Sequence, residues 1–154
     1  MPTRRAFLSL TGTALLAACG GPVISPPPSQ GNLHPGETPE IRRLIQTYAG
    51  VHDIPETLLH RVIQRESDYN PAARNGPYYG LMQILPQTAG TMGYRGPPSG
   101  LLDAETNLTY AGRYLRGAWM VSAGSEDRAI TWYAKGFYYE AKRLGLLKET
   151  GLRV

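Results

Sequence analysis

Glu66 is the residue of this 154-residue chain whose placement most directly implies chemistry. Leu58, Leu59, Val62 and Ile63 recur at i, i+1, i+4 and i+5, which is the apolar face of a helix, and the next position on that face is Glu66. A carboxylate at the end of a buried stripe is partly desolvated. Desolvation disfavours the charged form and raises the pKa, which makes a proton donor near neutral pH. On spacing alone the alternative is a glutamate that turns its head out to water at a helix end. The other carboxylates have simpler duties. Asp68 lies about 200° round the same helix and faces away, Asp103 has the position of an N-cap, and Glu105, Glu126 and Asp127 sit in first helical turns, where negative charge suits the macrodipole. No second carboxylate is marked as a partner. His34, His52 and His60 have no metal-ligand spacing, so neither a metal site nor a cofactor is expected.

The residues just after Glu66 narrow the chemistry. Glu66, Ser67, Asn70, Pro71 and Ala73 form ES-x-x-NP-x-A, and Gly80 to Gln83 read GLMQ. The pair of motifs, in this order and at nearly this spacing, closely resembles the catalytic domain of soluble lytic transglycosylases, peptidoglycan-cleaving enzymes with a goose-lysozyme-like fold. The likeness continues to Gly136. It implies an all-α, lysozyme-like single domain in which Glu66 is the sole catalytic acid and base. Glycoside hydrolysis commonly uses two carboxylates, and the lack of a marked second one suits an enzyme whose substrate supplies its own nucleophile.

The resemblance also implies supporting roles. Ser67 is expected to orient Glu66 or the sugar, and Gln83 to hydrogen-bond a sugar or its acetamide. Met82 would press on a sugar face, unless it is core, and Asn107 would line or brace the cleft. Tyr133 matches the tyrosine of the family's AYN-x-G motif, whose hydroxyl reaches the glutamate. Here that segment reads Trp132-Tyr133-Ala134-Lys135-Gly136, so Ala134 replaces the asparagine. The tract from Asn75 to Gly80 is also about one residue shorter than the family's, with Asn75 where serine is frequent. Tyr78 and Tyr79 offer aromatic faces for sugar rings in compensation. Two other activities compete with transglycosylation: a goose-type lysozyme-like hydrolase, which would need a water-positioning aspartate, and a non-catalytic glycan-binding protein of the same fold.

The elements that must position these residues are helices. Thr38 and Pro39 open one that carries Ile41, Leu44, Ile45 and Tyr48. Asp53 and Glu56 have capping-box spacing for the helix of Glu66, which Asn70-Pro71 should end. Arg74 to Tyr79 is expected as loop, Gly80 to Gln83 as a short helix, and Pro86 to about Met92 as another. Gly93 to Gly100 is loop. Asp103 caps a long helix with the stripe Leu108, Ala111, Leu115 and Ala118, Ser125 caps one closing near Gly136, and a last helix runs from Tyr138 to Gly145. No stretch alternates as a strand pair would.

Residues 1–18 combine Arg4 and Arg5 with an apolar run and a small-residue end, an export signal too short for a membrane span; Thr3 to Leu8 resembles a twin-arginine signal. Leu16-Ala17-Ala18-Cys19 resembles a bacterial lipobox. The expectation is a lipidated Cys19, periplasmic and anchored to the outer membrane, since Gly20 and not aspartate comes next. Residues 19–37, with Pro22, Pro26, Pro27, Pro28 and Pro35, form a linker that cannot bury a core. The catalytic domain is then 38–154. The chain has 16 basic and 12 acidic residues; without Arg4 and Arg5 the excess is slight. No clustered basic face indicates nucleic acid. The expected partners are glycan strands of peptidoglycan and, through the anchor, a membrane.

Overall fold

The computed structural model describes residues 33–153; the expected export signal, Cys19 and the proline tract through Asn32 lie outside the described residues. Helix α1 spans Pro39–His52. Thr38 Oγ1 accepts from the Ile41 amide at 3.2 Å, and Pro39 supplies a preset φ in the first turn. Ile41, Ile45 and Ala49 are its buried face. Asp53 closes this helix in the left-handed region, φ 49°, its amide meeting the Ala49 and Gly50 carbonyls. The expected Asp53–Glu56 capping box is therefore corrected. The end of α1 uses Asp53, which tolerates that conformation, and Pro55 stands at the start of α2 with no side-chain cap.

Helix α2, Glu56–Ser67, buries Leu58, Leu59, Val62 and Ile63 as the stripe requires. It stops before Asn70-Pro71, because Asp68 and Tyr69 are both left-handed, at φ 51° and 64°. That reversal carries the Tyr69 side chain into the core, where 2% of it is exposed. The next segment is not all loop. Strand β1, Arg74–Asn75, pairs antiparallel with β2, Tyr78–Tyr79, Arg74 opposite Tyr79 and Asn75 opposite Tyr78. Two-residue strands are too short for alternation to be visible in a sequence.

Gly80 to Gln83 is a turn and not the expected helix. Gly80 at φ 73° and Gln83 at φ 47° are left-handed at its two ends. A Cβ on Gly80 would lie 2.3 Å from Leu101 O and 2.3 Å from Asn107 Nδ2, so only glycine fits there. Helix α3, Pro86–Thr91, comes after it, and a 3-10 turn, Pro98–Leu102, occupies the end of the expected loop.

Helix α4, Ala104–Met120, is the spine against which α1, α3, the 3-10 turn and α5 pack. Asp103 Oδ1 caps it by accepting from the Thr106 amide at 2.8 Å. Leu108, Ala111, Leu115 and Ala118 are fully buried along it. Helix α5, Glu126–Lys135, is capped by Ser125 and closed by Gly136; α6, Tyr138–Leu144, is closed by left-handed Gly145. Each fully buried Leu or Ile contributes about 1.5–3 kcal/mol. Surface ion pairs such as Arg61–Glu126 between α2 and α5 add far less. The apolar core therefore holds the C-terminal end of α2 in place. No helix among the described residues is long and apolar enough to cross a membrane.

Candidate active site

The last turn of α2 delivers Glu66 into a recess of about 300 Å³ that it shares with Arg65, Asn75, Tyr78, Gln83, Tyr133 and Ala134. A second recess of about 220 Å³ continues along the surface to Thr88, Tyr114 and Gly136. Tyr78, Gln83, Tyr133 and Ala134 line both, so the two form one groove. Among the described residues, Glu66 is the one carboxylate lining it. The other acids are engaged elsewhere: Asp103 caps α4, Glu105 accepts from the Tyr48 hydroxyl, and Glu126 and Asp127 hold Arg61.

Glu66 keeps 23% of its side chain exposed. Burial pushes its pKa up from the ordinary glutamate value, and the Arg65 guanidinium, 3.6 Å from Oε1, opposes this more weakly. Arg65 carries no signal in the motif, and its presence in the groove emerges only from the last turn of α2. The Tyr133 hydroxyl donates to Met82 O at 2.8 Å. Burial first and then the nearby Glu66 charge raise the Tyr133 pKa well above the tyrosine norm, so it stays a neutral phenol beside the carboxyl.

The remaining expected site residues divide into two groups. Tyr78 is exposed at 42% and forms a wall of the groove. Gln83 also lines the groove; its amide nitrogen donates to Ala73 O at 3.1 Å and Gly80 O at 2.9 Å, which leaves its carbonyl oxygen for a ligand. Ser67, Met82, Asn107 and Tyr79 instead build the frame. Ser67 Oγ donates to Leu81 O at 2.7 Å and to Ile63 O at 3.3 Å, tying α2 to the 80–83 turn and not to Glu66. The Met82 side chain is fully buried, which removes it from contact with a sugar; only its backbone carbonyl serves the site. Tyr79 packs on the core with the Arg74 guanidinium 4.8 Å above its ring, and it lines neither recess.

Asn107 is the bracket of the site. Fully buried on α4, it accepts from the Met82 amide and donates to Tyr79 O and Leu101 O, each at 2.9 Å. Its carboxamide thereby clamps the turn whose Met82 carbonyl receives Tyr133. Ala134, where the resembled motif has asparagine, lines both recesses and leaves that position without a polar side chain.

A model of the transglycosylase SLT domain family matches residues 43–150. The chain belongs to that family. Its structure is also similar to the 70 kDa soluble lytic transglycosylase SLT70 from Escherichia coli, with a TM-score of 0.58 and 25% identity over 70% of this chain. The likeness covers 19% of that enzyme, so this chain corresponds to a small part of its length. The all-α, lysozyme-like fold expected from the motifs is the fold observed.

Proposed function

We propose that the domain is a lytic transglycosylase that cleaves the β-1,4 bond between N-acetylmuramic acid and N-acetylglucosamine in peptidoglycan without consuming water. One observation supports this above the others: the groove is lined by a single half-buried carboxylate, Glu66, whose pKa is raised. Glu66 gives its proton to the glycosidic oxygen as the bond from that oxygen to the anomeric carbon breaks. The neighbouring N-acetyl group stabilises the cationic sugar. Glu66, now a carboxylate, takes the proton of the same sugar's 6-hydroxyl, and that oxygen closes the 1,6-anhydro ring. One residue thus serves as acid and then base. Gln83 and Tyr78 hold the sugar; Tyr133, Ser67 and Asn107 fix the frame around Glu66. Met82 contributes through its carbonyl.

An internal hydroxyl is favoured because a nucleophile held on the same ring has an effective concentration that bulk water cannot match. Digestion of purified cell wall in heavy-oxygen water should release 1,6-anhydromuramyl products with no label at the cut. Labelled, reducing muramic ends would replace this assignment with a hydrolase.

The same reading makes the enzyme a periplasmic lipoprotein, with lipid on Cys19 and the tether to the outer membrane drawn from residues 19–32, since Glu37 is buried in the domain and His34 stacks on Tyr69. Cys19→Ser should abolish membrane fractionation and the acyl mass at the mature terminus. Unchanged fractionation and mass would remove the anchor from the proposal.

A further inference from the structure

The fold gathers two histidines that the sequence leaves 26 positions apart. His34, Glu37 and His60 each point one ligand-type atom into a common space, all within 4.8 Å of one another. We propose that these three side chains form a binding site for a borderline divalent cation, Zn2+ being the best match, which fastens the segment entering the domain to the helix that carries Glu66.

The donor set identifies the ion. Two imidazoles and one carboxylate suit Zn2+, whereas Ca2+ and Mg2+ require shells of oxygen. The site is partly built before any ion arrives. Glu37 is buried, and Arg42 fixes its carboxylate with two bonds of 2.6 Å, one to each oxygen. His60 is buried on α2, and its Nδ1 lies 3.9 Å from Glu37 Oε1. Its other nitrogen, Nε2, faces Glu56 Oε1 at 3.4 Å. A proton on Nε2, directed at Glu56, leaves Nδ1 as an acceptor on the side of Glu37, the outer carboxylate arrangement that orients histidine ligands in zinc sites. The Tyr69 hydroxyl, 3.0 Å from Nδ1, is the group an ion would displace or adopt as a further ligand. His34 is exposed and supplies the open side; its ring stands 4.8 Å from that of His60.

Small movements complete the geometry. Ligand pairs around tetrahedral zinc lie about 3.4 Å apart, given bonds of about 2.0–2.1 Å, and His34, which stacks on Tyr69 at 5.6 Å, has an exposed side from which it can shift toward the other two. Arg42 also neutralises Glu37. Binding should therefore be micromolar and not nanomolar.

The test uses the full chain carrying Cys19→Ser, so that no thiol contributes, and without a histidine tag. Zn2+ alone should bind at one ion per chain in calorimetry, and saturation should raise the thermal midpoint by roughly 5 °C or more. His34→Gln removes an exposed ligand and leaves folding intact; it should weaken binding about tenfold or more and abolish the thermal shift. Co2+ in place of Zn2+ should give visible bands of a four-coordinate nitrogen–oxygen site. Absence of uptake at about 1 mM Zn2+ would overturn the proposal. So would uptake of unchanged affinity in His34→Gln, which would locate the ion elsewhere.

Discussion

Glu66→Gln should lower the rate of cell-wall cleavage by about 10³-fold or more, because glutamine keeps the shape of the side chain but can neither give nor take the proton. Both halves of the proposed reaction pass through this residue. General acid and general base contributions are therefore lost together, and only binding remains. The fold should not suffer. Burial raises the Glu66 pKa, so the native state holds the proton more tightly than the unfolded chain does. The protonated form is thus the more stable one: its stability is fully present below the ordinary glutamate value and is lost as pH rises through the raised value. Glutamine mimics that form at every pH. The variant should consequently melt no lower than wild type at neutral pH, with any advantage fading in acid. Wild-type activity should fall on the alkaline side as Glu66 loses its proton. Turnover of the variant within tenfold of wild type, in a turbidity assay on purified wall, would remove Glu66 as the acid.

Asn107→Ala should be the most damaging single change outside the groove. It strands the Met82 amide and the Leu101 carbonyl, which meet the Asn107 carboxamide at 2.9 Å, and takes one of two donors from the Tyr79 carbonyl, which keeps the Ile84 amide. A buried polar group left without its partner costs about 1–3 kcal/mol, so a total loss of about 3–5 kcal/mol is expected. For a domain of this size that is a fall in melting temperature of roughly 10 °C or more. Activity should fall further than stability alone requires, since the clamped turn presents the Met82 carbonyl to Tyr133. Calorimetry and the wall assay on one preparation separate the two effects. A melting temperature within about 3 °C of wild type would mean that water or a shifted backbone replaces the carboxamide.

Helices and their ends were legible in the sequence because their causes are local. Thr38, Asp103 and Ser125 cap the next few amides, Gly136 and Gly145 release the chain, and the stripe of α4 repeats within one element. The Glu66 motif was legible for the same reason: its apolar run and its carboxylate belong to one helix. Asp53 misled because the end of one helix and the start of the next compete for the same residue, and geometry, not spacing, gives it to α1. The turn at Gly80–Gln83 depends on Asn107, more than twenty residues away on α4, and no local pattern records such a contact. Met82 and Ser67 belonged to the motif, but only packing decides that one is core and the other a tie between segments. Local rules determined what each helix is. Long-range contacts decided which side chains face the groove, and they also brought His34 beside Glu37 and His60, because burial and side-chain hydrogen bonds act between residues that only the folded chain makes neighbours.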